Sequence, residues 1–474
     1  MININKALSR VPSYRSFRSL ADIEAFTLAL RGDPRFKVSV AGRSALGKPI
    51  YHVRFGDGGI KVLVVGYPHP NEPVGGLTAL ALLTLLKKKH SPLAGQGIEW
   101  HIVPCAAPDG AALTEGWTLR PFSFRRFMEY YFRKDPCHDI ESSFPIKYGT
   151  LDFHSPVPET RALMRVMRSA RPDLYYSLHN ASSEKAFFFV GRDLGRRHYA
   201  RLHGLTKRLG IPLSEEPLPM AVKAYAKSVF SEILIRAEYD SIRKSGADPA
   251  KYIKSGATPV EYLREYNKDA FSFLCEFPHV KQTRAAKKTS VLNRRRMLLR
   301  SEADRLYFIS VLLGEWRKVG KEVNKSSPFY SQVAARMPGR ETALKDPRLQ
   351  AGLLSDPTAD RPTLPSEVEE SLLQTYYDLC WNWQFLRLLG DSRRTAAVKA
   401  ASARLKTLLT EFYLELEKTG AFAGFKPIPI NSLVKAQLGC GLIVINAMLE
   451  EHQKRLKQPL YRIPYEEIAY MTDL

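Results

Sequence analysis

The chemistry in this chain begins with His69 and Glu72, in the segment VLVVGYPHPNEPVGG. An apolar, β-branched run ends there, a tight turn follows, and an apolar helical pattern starts immediately after. An imidazole and a carboxylate separated by two residues on such a turn can converge on one cation. Zinc takes nitrogen and oxygen ligands at ~2.0–2.2 Å, and a catalytic site keeps one position for water. The same spacing recurs at His138 and Glu141, but in the charged stretch KDPCHDIESSF, with no strand before it and no apolar helix after it. Context therefore selects the first pair. The alternative for His69 and Glu72 is a polar loop that caps the following helix. His179 closes a second strand-like run, DLYYSLHN, and would complete a His₂Glu ligand set; its alternative is a hydrogen-bonded core histidine. Glu276 follows FSFLC and precedes Phe277-Pro278, apolar surroundings that raise a carboxyl pKa and suit a proton acceptor. The alternative there is a surface ion pair.

The elements that must position these groups follow a layered pattern. Up to about residue 290 strand-like and helix-like segments alternate, as in an α/β domain. Residues 36–40 and 49–55 read as a hairpin. Residues 60–65, 98–105, 173–178, 185–190 and 271–275 read as strands, and 74–89 and 158–171 as helices. Ligands gather beyond the carboxyl ends of strands in open α/β sheets, which is where His69, His179 and Glu276 fall. Beyond residue 290 long helical patterns replace the strands, at 296–321, 365–389, 393–419 and 430–457, with 337–365 read as a long loop. The predicted organisation is an α/β domain over 1–290 and a mainly helical C-terminal domain over 291–474.

Composition bounds the partners. The 474 residues are 45% hydrophobic and 25% charged, an ordinary globular balance. Lysine and arginine number 71 against 48 acidic residues, a net charge of +23. Such an excess can attract nucleic acid, an anionic membrane or an acidic peptide, and charge alone does not choose among them. No interleaved aromatics or known nucleic-acid module accompany the basic clusters, and acidic peptides become the expected substrates only if the zinc site is real. No uninterrupted apolar run reaches the ~18 residues of a bilayer span, and the first residues lack the apolar core of a secretory signal. Five widely spaced cysteines form no CxxC pair; a reducing, cytoplasmic setting is expected. Oligomeric state is not legible.

Five segments then occur in a familiar order: His69-x-x-Glu72; Pro108-Asp109-Gly110 with Glu115-Gly116-Trp117; Pro158-Glu159-Thr160-Arg161; Ser177-Leu178-His179-Asn180; and Cys275-Glu276-Phe277-Pro278. In these, residues 12–285 resemble zinc carboxypeptidases of the M14, carboxypeptidase A-like family. The resemblance implies an α/β/α sandwich around a mixed, twisted sheet. It also implies one zinc per chain on His69, Glu72 and His179, and release of a C-terminal residue from a peptide by metal-activated water with Glu276 as general base. The sequence departs from the family where an Asn-Arg pair usually grips the substrate carboxylate; FPIKYGTLDFHSPVPET has none. The nearest arginines are Arg120, Arg125, Arg126 and Arg133. Arg133, after Tyr130-Tyr131-Phe132, is the first choice to stabilise the oxyanion and Arg120 the second, while Arg120, Arg125, Arg126 and Asn180 are candidates to bind substrate. For the family's mobile-loop tyrosine the choice lies among Tyr239, Tyr252, Tyr262 and Tyr266, and Tyr252 is taken.

Two other readings compete with the peptidase. One is a zinc amidohydrolase or deacylase acting on a small acylated amino acid, or on a γ-glutamyl or isopeptide bond. The other is a catalytically dead basic binding protein on the same frame.

Overall fold

The computed structural model describes residues 1–215, 222–283, 293–345, 360–362, 365–418, 420, 422 and 424–457. Its frame is a mixed nine-stranded sheet, built from β1 (Phe36–Arg43), β2 (Pro49–Phe55), β3 (Ile60–Val65), β4 (Ile98–Val103), β7 (Leu174–His179), β8 (Phe187–Val190), β9 (Ala224–Ala226), β10 (Val229–Ser231) and β11 (Phe271–Glu276). The strand order is β1-β2-β4-β3-β7-β11-β8-β10-β9. Two small pairs stand apart: β5 (Ile146–Tyr148) with β6 (Leu151–Phe153), and β12 (Val280–Gln282) with β13 (Phe425–Pro427).

The central strands are apolar on both faces because both faces are covered. In β3, Val62 and Val64 enter one core, shared with the helix Pro73–Lys87, while Leu63 and Val65 enter the other, shared with the helix Pro158–Ala170. Helices on both faces make the α/β/α sandwich. β4, β3, β7 and β11 run parallel to one another, so their carboxyl ends share one edge of the sheet.

The last helix, Ile430–Lys457, corrects the expected boundary at residue 290. Leu433 to Leu449 belong to the first core, alongside Pro73–Lys87 and Arg196–Arg208. Over Ile430–Lys454 this helix is long and apolar enough to span a bilayer by length and composition, and 83% of its most apolar window is buried against the sandwich. Its polar residues are spent inward. Gln437 donates from Nε2 to the carbonyl of His179 at 2.8 Å and accepts from Thr78 Oγ1 at 2.7 Å, while the Tyr176 hydroxyl donates to its backbone carbonyl. Asn446 clips the backbone of Ile2 with two bonds of 2.9 Å.

The helices Arg294–Val319, Pro365–Gly390 and Ala396–Lys418 form a third core, which also takes in Trp117, Phe127 and Phe132 of the first half. The helical part is thus joined to the sandwich by a shared apolar interior. A second correction lies here. The first residues of the stretch read as a loop over 337–365 belong to the helix Tyr330–Lys345, which contains Pro338. Proline removes one backbone donor, yet Val333 and Met337 bury their side chains on the same face, and that packing outweighs the local preference. Residues 346–359 of that stretch lie outside the described residues.

The Gln437 contacts yield a direct test. Gln437→Leu strands a buried hydroxyl and a buried carbonyl together, so urea denaturation of the metal-free protein should show a loss of about 2–4 kcal/mol.

Candidate metal centre

β3 leaves the sheet through Gly66 and Tyr67. Tyr67 adopts a left-handed backbone, φ 48°, that a bulky residue takes only when its surroundings impose it. A side chain at Gly75 would meet the Leu178 carbonyl at 2.5 Å, so glycine is required for the loop to lie against the end of β7. This close approach brings His69 and Glu72 beside His179.

Glu72 stands between two imidazoles. Its Oε1 lies 2.8 Å from His69 Nδ1 and its Oε2 lies 3.0 Å from His179 Nδ1. All three side chains are buried. Glu72 occupies the N-cap of the helix Pro73–Lys87 but makes no capping bond with its side chain, so the alternative of a simple helix cap does not hold. Its Oε2 is buried without an aligned hydrogen bond, despite the close histidine.

Behind each ring stands a second carboxylate. His69 Nε2 is 3.1 Å from Asp139 Oδ1, and His179 Nε2 is 2.8 Å from Glu141 Oε2, the latter approach lacking hydrogen-bond alignment. Glu141 is held by Ser177 Oγ at 2.7 Å and by the Tyr175 hydroxyl, residues that share a face of β7 with His179. Donor atoms of His69, Glu141 and His179 all fall within 4.8 Å of one another, a spacing that can hold a metal ion. The centre therefore offers Glu72 on the Nδ1 side of both rings and Glu141 beside His179. A carboxylate behind a ligating histidine is the usual means of fixing its tautomer.

Glu276 ends β11, in register with His179 on β7, and its Oε1 lies 3.9 Å from His179 Nδ1. Burial pushes its carboxyl above the usual range, with Glu72 adding to the rise and His179 opposing it. Arg133 donates from Nη1 to Glu72 Oε1 at 3.0 Å, and its Nε lies 3.6 Å from Asp139 Oδ2. Against this one guanidinium stand the carboxylates of Glu72, Asp139, Glu141 and Glu276. The imbalance shows in the histidines. Burial and Arg133 work against protonation of His69, yet Asp139 and Glu72 outweigh them and raise it to about 9. His179 is also raised, burial being overcome by Glu141 and Glu72. Both nitrogens of each ring face a carboxylate, so an uncharged ring would aim its one lone pair at a carboxylate in either tautomer, and the cluster calls for protons or a cation. Two imidazole nitrogens, a carboxylate and an unmatched negative charge fit zinc.

The centre forms the floor of a cavity of about 850 Å³. Asn180 lines it, with Nδ2 donating to the Phe277 carbonyl at 3.0 Å and Oδ1 buried without a partner. Four expected contacts fall elsewhere. Arg120 is exposed past the helix Pro108–Thr118, Arg125 pairs with Glu129 at 3.0 Å, and Arg126 donates to the Pro121 carbonyl at 3.1 Å. None of the three lines the cavity, because the helix Phe124–Tyr130 turns its Phe127 face to the core and its basic face outward. Tyr252 is 68% exposed on the short helix Pro249–Tyr252, also off the cavity. The tyrosines that do line it are Tyr131 and Tyr377, the latter from the helical part, beside Trp381 and Arg336. The His138–Glu141 pair set aside in the sequence proves half functional in position: His138 faces Asp135 at the surface, while Asp139 and Glu141 enter the centre. Alternating polar and apolar residues in DIES were the available signal.

Residues 23–214 match the family model for the zinc carboxypeptidases, peptidase M14. This segment is an M14 zinc carboxypeptidase domain. No curated protein sequence matches the chain. Among solved structures, carboxypeptidase A from Helicoverpa armigera is 17% identical, over 61% of this chain and 71% of its own, with a TM-score of 0.37. The metallo-carboxypeptidase from Burkholderia cenocepacia is 14% identical over 54% and 58%, with a TM-score of 0.32. Bovine thrombin-activatable fibrinolysis inhibitor, in complex with tick carboxypeptidase inhibitor, is 15% identical over 55% and 86%, with a TM-score of 0.33. The M14 match covers His69, Glu72, Asp139, Glu141 and His179, and it supports zinc metallopeptidase chemistry at this centre.

Raised imidazole pKa values set the pH dependence of metal binding. His69, at about 9, holds a proton at pH 7 that zinc must displace, so affinity should climb as pH rises toward 9 and fall below neutrality. Calorimetry in buffers of different ionisation enthalpy should detect about one to two protons released per zinc at pH 7.

Proposed function

We propose that the chain is a zinc-dependent metallopeptidase, with one zinc per chain, that releases the C-terminal residue of a peptide. The observation that carries this reading is the convergence of His69 and His179 on Glu72, at 2.8 and 3.0 Å, with Glu276 beside them at the sheet edge. Zinc, when bound, acts as a Lewis acid toward a carbonyl and lowers the pKa of water.

The residues supply the rest. Glu276, whose carboxyl is raised by burial, is matched to taking a proton from water at neutral pH and returning it to the leaving amine. Arg133 is fixed between Glu72 and Asp139 and borders the cavity, where its charge stabilises a developing oxyanion. Asn180 is anchored through its amide nitrogen, which leaves Oδ1 to accept from a substrate N–H. Glu141, tied to Tyr175 and Ser177, holds the His179 ring in place.

A second reading keeps the centre and changes the substrate to a small acylated amino acid or a γ-glutamyl bond. The cavity of about 850 Å³, with Tyr377 and Trp381 on its wall, accommodates such a small molecule as well as a short peptide.

Incubation of the zinc-loaded protein with a mixed peptide library, read by mass spectrometry of the termini, separates these. Loss of single C-terminal residues supports the carboxypeptidase. Deacylation of small acyl amino acids without peptide trimming supports the second reading, and no hydrolysis of either supports a binding protein. Glu276→Gln should lower kcat by about 10²–10⁴-fold with one zinc retained, whereas Glu72→Gln should lose the metal. With a net charge of +23, turnover of acidic peptides should fall with added salt while that of basic peptides does not.

A further inference from the structure

Arg336, on the helix Tyr330–Lys345, lines the same cavity as the metal centre. Its guanidinium carbon lies 3.4 Å from the centroid of the Trp381 ring, a tight stack that fixes the plane of the group. Its Nε is buried without a hydrogen bond, and no ion pair or hydrogen bond to Arg336 is found among the described residues. The other cations around the cavity are engaged: Arg133 with Glu72 and Asp139, Lys134 with Glu159 at 3.4 Å, Lys185 with Glu184 at 3.7 Å.

One turn along the same helix, Arg340 meets Asn382 Oδ1 and, at 3.9 Å, Met337 Sδ, neither of them an anion. Burial, reinforced by Arg336, lowers its pKa to about 10. Asp378 acts on both arginines through space; burial raises its carboxyl above the ordinary range while Arg305, Arg336 and Arg340 pull it down, and among the described residues no ion pair joins it to Arg336 or Arg340. A second cavity, of about 340 Å³, opens on the far side; Arg336, Gln374 and Asp378 border both cavities, and Arg340 borders the second.

A partly desolvated guanidinium with no direct ion-pair partner gains from a ligand that supplies one. Held flat by an indole, it presents its N–H fork ready-made for the two oxygens of a carboxylate. We propose that Arg336, backed by Arg340, is the carboxylate receptor of the substrate cavity, so that the helical part selects substrates bearing a carboxylate at that wall. This rests on the metallopeptidase reading. The carboxylate is either the substrate's C-terminus or an acidic side chain, and the two are separable by experiment.

The full-length Glu276→Gln protein, zinc-loaded, would be titrated calorimetrically with four probes. These are N-acetyl-Ala-Ala-Glu, its C-terminal amide, N-acetyl-Ala-Ala-Gln and the amide of the latter. Removing the recognised carboxylate should weaken binding by about tenfold or more. A loss with the C-terminal amide identifies the main-chain carboxylate, and a loss with glutamine identifies the side chain. Arg336→Met should abolish that discrimination while binding the uncharged probe as before, and Arg336→Lys should fall between, keeping charge without the fork. Zinc content and melting temperature of each variant report folding, and Arg336→Lys serves if the methionine variant does not fold. Equal binding of all four probes before substitution, unchanged discrimination in both variants, or an equal loss for every probe would overturn the proposal. Because binding is read in a protein lacking its proposed base, failure here is distinct from failure of the hydrolytic reading, which would appear as no hydrolysis by the unsubstituted zinc-loaded protein or as hydrolysis independent of Glu276.

Discussion

The carboxylate of Glu72, shared between the Nδ1 atoms of His69 and His179, is the contact on which the rest of the centre depends. Neutral imidazoles with their Nε2–H groups turned toward Asp139 and Glu141 must aim lone pairs at Glu72. That arrangement is repulsive unless something positive lies between. Protons can fill the role, and both rings sit above their ordinary pKa because burial is overcome by Asp139 at His69 and by Glu141 at His179, each with Glu72. A dication fills it better, because it satisfies both nitrogens and the carboxylate at once and offsets the surplus charge of four buried or half-buried carboxylates.

Sheet geometry supplies the precision. β3, β7 and β11 are parallel neighbours, so their ends lie about 5 Å apart along the same edge. Glu276 and His179 are register partners, and the seven residues 66–72 after β3 reach the same point because Gly75 allows close approach to Leu178. His179 is steadied from the opposite face by Gln437, on a helix some 250 residues later in the chain. The sandwich is therefore completed by the end of the chain, which closes over the back of the sheet that carries the ligands.

This explains which parts of the molecule could be read from sequence. β1 to β4, β7, β8 and β11 announce themselves as apolar, β-branched or aromatic runs, and His69, Glu72, His179 and Glu276 are legible because each follows such a run. Asp139 lies between two short helical turns and Glu141 within the second, in an irregular segment where the brief alternation of DIES is too short to mark a direction, and only their contacts with His69 and with β7 give them a role. The helix Ile430–Lys457 was legible as a helix, but its partner was not: an apolar helix has no address in sequence, and here it packs on the first core instead of the helical one. Tyr330–Lys345 was hidden by Pro338, a local signal that buried Val333 and Met337 override. Arg120, Arg125 and Arg126 are interchangeable with Arg133 in composition and separated from it by the turn after the helix Phe124–Tyr130, which alone faces inward.

The two parts of the chain divide the cavity by charge. The residues it takes from the sandwich are rich in carboxylates and suited to a cation; those from Tyr330–Lys345 and Pro365–Gly390 include Arg336 stacked on Trp381, with Tyr377. A ligand spanning the two must be electrophilic or carbonyl-like at one end and anionic at the other, since the reverse orientation would set a carboxylate against Glu276 and Glu72 and leave the guanidinium bare. Orientation is then decided by electrostatics before any side-chain pocket is filled. The shared interior of Trp117, Phe127 and Phe132 with the helical core joins the two parts that line the cavity.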